Sequence, residues 1–401
     1  MTGVDKLHAA GITGKGAVVA VIDTGIYYPH PDIGGGFGPG FKVSGGYDYV
    51  GDGLWPDSGD KEPDDDPLDT RGHGTHVAGI IAGKGPWFTG VAPDATLLSY
   101  KVFSNAADVI TASIGGPSGW SHNAWATVAD RLVDAGVVVT ISAGNNGDLG
   151  PFFASSAAES IVDAIKAGTF TTATFPEDTE FVGVPNTHPS WPSVFTSFGG
   201  TYDLGLKPDI AAPGTNIFSL YPGNAYAVMS GTSMACPYVA GVAALYIGYH
   251  GGRAVHGPGF AKQLSARILS SGDAVPWGSE TGSGTFASAA QVGNGLVNAT
   301  KVLNYNTELS FSKFALNDTH YFSRYHGVEI TNNAAESVIY TFEIKPAGAF
   351  EAYWSKAADA YMAPRMKYQF EMGNKPLQIT PNVKLPSGKF EVKPGETKKA
   401  E

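Results

Sequence analysis

An α/β fold built on a parallel sheet flanked by helices is predicted by three observations. Continuous apolar, β-branched runs recur along roughly the first three quarters of the chain, as in strands buried on both faces. A helical pattern lies between two of them, as the crossover between parallel strands requires. An aspartate follows directly on the first run, where open parallel sheets place their sites.

The first run is Ala17 to Ile22, and Leu97 to Phe103, Val109 to Ile114 and Val137 to Ile141 are of the same kind. Ala124 to Val133, with Val128 and Leu132 four apart, predicts the helix that joins the last two strands. Met234 to Tyr249 is uncharged and apolar but contains Pro237, Gly241 and Gly248. It falls short of the roughly 20 residues of a membrane span, so it is expected as a buried helix. After about Asn304 the pattern becomes period two: Val328 and Ile330, then Val338, Tyr340, Phe342 and Ile344, then Phe390 and Val392. Turn signals at Asn332-Asn333 and Pro386-Ser387-Gly388 accompany it, which predicts antiparallel β structure. The expected division is 1–304 and 305–401, and Lys398-Lys399-Ala400-Glu401 is expected as a solvated tail without a strand.

The chain has 401 residues, of which 43% are hydrophobic, enough for a real core. Glycine is high, 53 residues, with no collagen-like period, so many tight turns are expected. Twenty-six basic against 37 acidic side chains give a net charge of −11, which argues against nucleic acid or an anionic membrane as partner. The single cysteine, Cys236, excludes an intrachain disulfide and a cysteine-based zinc site. No signal-peptide-like run opens the chain.

Three segments carry chemistry. Val21-Ile22-Asp23-Thr24-Gly25 puts an aspartate at a strand end; alone it reads as a turn aspartate or a cap. Gly72-His73-Gly74-Thr75-His76 opens an apolar helical run with small neighbours around His73. Two histidines three apart lack the spacing and glutamate of HExxH, so His76 is expected to pack rather than bind metal. Gly231-Thr232-Ser233-Met234-Ala235 opens the long apolar helix, where a lone serine would be a cap. Together they supply what acyl transfer requires: a serine nucleophile, a base within reach, and a carboxylate to hold the base's tautomer. The order Asp, His, Ser differs from the chymotrypsin-like and α/β-hydrolase orders, and no G-x-S-x-G elbow is present.

These motifs resemble those of the subtilisin-like serine peptidases, the subtilases, over roughly residues 4 to 300. The resemblance implies a secreted serine endopeptidase, a hydrolase of peptide bonds in proteins and peptides, with Asp23, His73 and Ser233 as catalytic triad. Ser142-Ala143-Gly144-Asn145 resembles the family's oxyanion segment, with Asn145 as donor to the oxyanion hole. Ser113-Ile114-Gly115-Gly116 resembles a wall of the specificity pocket, so Ser113, Gly115, Gly116, Ala143 and Gly144 are expected to bind substrate. No cofactor is required for the chemistry, and the protein is expected to be a monomer acting outside the cell. Relatives often bind structural calcium, but the acidic run Asp57, Asp60, Glu62, Asp64, Asp65, Asp66 and Asp69 is interrupted by Pro63 and Pro67 and is expected as a solvated loop. Cys236 is expected to be a small packing residue. Residues 305–401 resemble the fibronectin type III-like β-sandwich of larger subtilases. Asn298-Ala299-Thr300 and Asn317-Asp318-Thr319 are glycosylation sequons.

The chain departs from the family in two places. It starts almost at the catalytic domain, as expected of a mature region, a fragment or an incomplete gene product. Only Ser104, Asn105 and Ala106 lie between Phe103 and Ala107, where the family has a helix and a further strand. Neighbouring parallel strands need a crossover of about a dozen residues, so the expected disturbance falls on the specificity wall. The alternative reading is therefore a catalytically impaired subtilase fold that acts as a binding or structural protein. A third is an adhesion protein whose β-sandwich is the functional part.

Overall fold

The computed structural model describes residues 2–52, 60–102, 109–113, 123–154, 161–166, 191–202, 205–277, 285–310, 313–314, 316, 320–345, 347–354, 366–368, 376–379 and 381–401. Parallel pairing joins β1 (Val18–Ile22), β2 (Val43–Asp48), β3 (Thr96–Lys101), β4 (Val109–Ala112), β5 (Val138–Ser142), β6 (Ile161–Lys166) and β10 (Ile210–Pro213). Their order is β10-β6-β5-β4-β1-β3-β2, and the short β7 (Trp191–Pro192) adds antiparallel to β6. The predicted α/β class and each of the four predicted buried strands are present, with ends shifted by a residue or two.

The alternation along β1 divides the core. Val19 and Val21 enter the larger cluster, while Ala20 and Ile22 face the other way, with Tyr100, Ile110 and Val137. Full burial of an isoleucine such as Ile22 or Ile110 contributes about 1.5–3 kcal/mol. Helices α2 (His73–Ala82) and α4 (Thr232–His250) pack on one another, and α4 lies across β4, β5, β6 and β10. Both are apolar nearly all round, as helices enclosed by a core must be. The uncharged run after Met234 is thus a buried helix, as expected. Among the described residues no helix is long and apolar enough to cross a membrane.

On the other side, α3 (Ala124–Asp134) and α6 (Phe260–Ser270) pack on β5. Asn123 caps α3 through its side chain, which accepts from Ala126 N at 2.9 Å. The helix is where the sequence places it. Val128 is 42% exposed, and the buried residues are Ala126, Ala129 and Val133. The buried face runs through Val133 and not Val128, two residues of one type, so position around the helix and not side-chain size decides which is inward.

The strand order also corrects the expected pairing. Strands β3 and β4 are not neighbours: β1 lies between them and pairs with both, Ile22 opposite Tyr100 on one side and Ala112 on the other. Both run parallel to β1, so the chain between Lys101 and Val109 has still to return along the strand direction, now between strands two positions apart. Val102, the last described residue before this connection, has φ 68°, a conformation that β-branched residues seldom adopt. Residues 103–108 themselves lie outside the described residues.

Smaller elements complete the first part: α1 (Val4–Ala9), the pair β8 (Gly199–Gly200) and β9 (Leu206–Lys207), the hairpin β11 (Ile217–Tyr221) and β12 (Ala225–Met229), and helices α5 (Arg253–His256), α7 (Ala289–Val292) and α8 (Ala299–Asn304). Asn298 caps α8 by accepting from Lys301 N at 3.1 Å, and its Nδ2 donates to Asp273 at 2.9 Å. Both ends of this sequon amide are therefore occupied in the folded chain. The second sequon, at Asn317, lies outside the described residues.

Beyond α8 the described strands are antiparallel, as the period-two pattern predicts. They are β13 (Thr307–Leu309), β14 (Val328–Asn332) and β19 (Thr397–Ala400) in one sheet, β15 (Val338–Tyr340) with β18 (Phe390–Val392), and β16 (Gly348–Ala349) with β17 (Leu377–Gln378). The expected solvated tail is a strand: β19 pairs with β14, and Ala400 is buried at 4% exposure. The lysines at 398 and 399 concealed it, because a charged strand that pairs with a half-exposed neighbour has no apolar signature. This part touches the first directly. Lys313 Nζ lies 2.5 Å from the buried Asp209, which also holds Lys207 at 2.7 Å. The Phe350 ring meets Phe198 edge-on at 5.4 Å.

Candidate active site

Three adjacent strands deliver site residues at their carboxyl ends: β1 leads to Asp23, β4 to Ser113, and β5 to Ala143, Gly144 and Asn145. Two helices begin above the same edge, α2 at His73 and α4 at Thr232.

His73 Nδ1 donates to Asp23 Oδ1 at 2.7 Å, and Thr24 N donates to the same oxygen at 2.8 Å. Asp23 is 3% exposed, and its Oδ2 has no hydrogen-bond partner among the described residues. The contact needs Gly74: a β-carbon there would lie 2.2 Å from the Gly25 carbonyl oxygen. Burial pushes His73 down, but the hydrogen bond and charge of Asp23, with the charge of Asp69, outweigh it and hold the imidazole above its usual value. His76 is enclosed, as expected of a packing histidine. Its Nε2 faces the carbonyls of Ile217 at 3.0 Å and Ala227 at 3.2 Å, and burial pushes it down to about 4, so it is neutral at pH 7.

Ser233 lies in the first turn of α4, where backbone N–H groups have no intrahelical acceptor. Pro237, four residues on, has no N–H to give to the Ser233 carbonyl. Ser113 supplies the missing donor: its hydroxyl donates to Ser233 O at 2.8 Å. In return the Ser233 hydroxyl donates to Ser113 O at 3.1 Å. The structure thus joins His73 to Asp23 and Ser233 to Ser113, while no hydrogen bond runs from Ser233 to His73.

Asn145 is oriented by Thr232, whose N–H and hydroxyl both donate to Oδ1 at 3.0 Å. Two donors on Oδ1 leave Nδ2 directed elsewhere. A β-carbon on Gly231 would sit 3.4 Å from Asn145 Nδ2 and 3.6 Å from Ser233 N, so both donors border one space that a glycine keeps open. Gly144, at φ 98°, donates to Thr232 Oγ1 at 3.1 Å and accepts from Ser197 N at 2.9 Å. Ala143 is buried, and the Ser113 side chain is 5% exposed and turned to Ser233. Gly115 and Gly116 lie outside the described residues.

Sequence reasoning misplaced Asp69. Asp60, Glu62, Asp64, Asp65 and Asp66 are exposed, as a solvated loop should be, whereas Asp69 is 0% exposed and accepts hydrogen bonds from the Asp23 turn and the start of α2. Its position four residues before His73, with Thr75 beyond, was the available signal. Asp57 lies outside the described residues. Among the described residues no group of three or more His, Cys, Asp or Glu side chains could hold a metal ion. Cys236 is buried beneath the site, 3.2 Å from Thr111 Oγ1, and burial pushes its thiol up, so it packs and is a poor nucleophile.

The sequence model of the subtilase family (peptidase S8) matches residues 14–107 and 103–295. The two segments meet at the connection after Val102. Subtilisin E of Bacillus subtilis (strain 168) is 36% identical over 270 residues, 61% of this chain and 58% of that protein. Subtilisin NAT of Bacillus subtilis subsp. natto is 34% identical with the same coverage. Thermitase of Thermoactinomyces vulgaris is 31% identical over 314 residues, 73% of this chain and 90% of that protein. The chain thus spans 58% of the length of the two subtilisins.

Proposed function

The chain belongs to the subtilase family, and we propose that it is a serine endopeptidase that cleaves proteins or peptides through an acyl-enzyme. Ser233 Oγ attacks the scissile carbonyl as His73 Nε2 takes its proton. The imidazolium is stabilised by Asp23 through the 2.7 Å bond at Nδ1. Asn145 Nδ2 and the Ser233 N–H donate to the oxyanion. His73 then returns the proton to the leaving amine, the amine departs, and a water activated by His73 hydrolyses the ester.

The observation that carries this reading is the His73–Asp23 bond: it fixes the tautomer with Nε2 unprotonated, as a general base must be. Attack requires the Ser233 hydroxyl to leave the Ser113 carbonyl and turn to His73. Catalytic hydrogen bonds of this kind often close only with substrate.

Ser113, Ala143 and Gly144, with Gly115 and Gly116, are proposed to line the substrate path. The chemistry calls on no cofactor, and the enzyme is proposed to act as a monomer outside the cell, residues 305–401 forming a fibronectin type III-like β-sandwich. Ser233→Ala in the full chain tests the reading: hydrolysis of a chromogenic peptide should vanish while near-ultraviolet circular dichroism is unchanged. Retained hydrolysis would overturn it.

A further inference from the structure

Asp69 receives more hydrogen bonds than its solvent-free position needs for simple neutral packing. Its Oδ1 accepts from Thr24 Oγ1, Arg71 N and Gly72 N, each at 2.9 Å. Its Oδ2 accepts from Thr75 N at 2.9 Å and from the Thr75 hydroxyl. Thr24 adjoins Asp23, and its Oγ1 in turn accepts from Gly74 N at 2.9 Å, the residue after His73. Thr75 also receives Tyr27 N at 2.8 Å from the far side of the same turn. One carboxylate therefore bonds the turn that carries the proposed orienting aspartate and the helix start that carries the proposed base.

We propose that Asp69 is a positioning residue: a second buried carboxylate that docks the His73 helix on the Asp23 turn and so sets the length of the His73–Asp23 bond. This rests on the triad reading above. The physical case has three parts. An ionised acceptor makes hydrogen bonds about twice as strong as a neutral one. Negative charge at the start of a ten-residue helix is favoured by the helix dipole. The same charge favours the imidazolium of His73, in the sense that Asp23 does. Without Asp69 the turn and the helix are still joined by Gly74 N to Thr24 Oγ1, by Tyr27 N to Thr75 Oγ1 and by the His73–Asp23 bond itself, but both hydroxyls that accept there lose the carboxylate that orients them.

The test uses the full chain and four variants: Ser233→Ala, Asp69→Asn, Thr24→Val and Thr24→Ser. An asparagine side chain replaces one acceptor oxygen by an NH₂ that faces other donors, and valine at position 24 removes the bond to Asp69 and the bond from Gly74 N that Asp69 orients, while keeping the Asp69 charge. Misplacement of reacting groups by about 1 Å can cost about 10²-fold. Asp69→Asn and Thr24→Val should lower kcat by roughly that order with KM within about twofold. Both should also lose or broaden the low-field proton resonance of His73 Nδ1–H in ¹⁵N-histidine-labelled protein. Thr24→Ser should recover both signals. If Asp69→Asn does not fold, Thr24→Val against Thr24→Ser decides. Unchanged kcat and an unchanged His73 resonance in the folded variants would overturn the proposal and leave the triad intact. Hydrolysis surviving in Ser233→Ala would remove the triad reading and this proposal with it.

Discussion

The Ser113 hydroxyl donates to the carbonyl of Ser233 at 2.8 Å, and the Ser233 hydroxyl donates back to the carbonyl of Ser113 at 3.1 Å. The first bond exists because Pro237 leaves that helix carbonyl without its usual donor. It pins the turn that carries the proposed nucleophile to the end of β4, the strand beside β1, which leads to Asp23.

Ser113→Ala should therefore destabilise the chain by about 1–3 kcal/mol, the cost of an orphaned buried polar group. Pro237→Ala offers an N–H four residues after Ser233 and should make the same Ser113→Ala change cheaper. A double-mutant cycle of denaturant midpoints checks this. Additive effects would show that the carbonyl is not what joins the two residues.

Gly231→Ala should lower kcat with little effect on folding. The φ of 167° is extended backbone that alanine adopts freely, so strain is not the cause. The added methyl would stand 3.4 Å from Asn145 Nδ2 and 3.6 Å from Ser233 N, in the space assigned to the oxyanion. Steady-state kinetics should show the loss in kcat, and Asn145→Leu should add little to it. A loss confined to KM would place the oxyanion elsewhere.

The pH dependence follows from His73. A general base must be neutral, so kcat/KM should fall as pH drops through the His73 value, which is held above the ordinary histidine value of about 6.5. Linkage has the opposite direction. The stability from the His73–Asp23 pair is complete below the unfolded-state value and is lost as pH rises through the folded one. A pH–rate profile with its acid limb at or below the ordinary value would contradict the assigned environment.

Lys313→Met should destabilise the whole chain, although Lys313 lies beyond the proposed catalytic part. It leaves the buried Asp209 with Lys207 alone among its two lysine partners. A cost of about 1–3 kcal/mol is expected, as for a buried acceptor that loses one donor. Thermal unfolding should show a lower single transition. An unchanged transition would mean that the two parts fold without this contact.

Asp23, His73, Ser233 and Asn145 stood out as candidates because each sits in a short local motif rich in glycine and small residues. The buried strands were legible because burial on both faces leaves continuous apolar runs. What escaped depends on distant contacts. Asp69 looks like one more acid in an acidic run, and only the docking of α2 on the Asp23 turn buries it. The Ser113–Ser233 pair joins residues 120 positions apart. The place of β1 between β3 and β4 is a matter of crossover, which no local pattern encodes.

The most direct measurement is the mapped labelling of the purified full chain by a fluorophosphonate, read by peptide mass spectrometry. The account predicts one adduct, on Ser233, lost in His73→Ala, together with loss of peptide hydrolysis. A chain that hydrolyses peptide while Ser233 stays unmodified, or that carries its adduct on another residue, would contradict it.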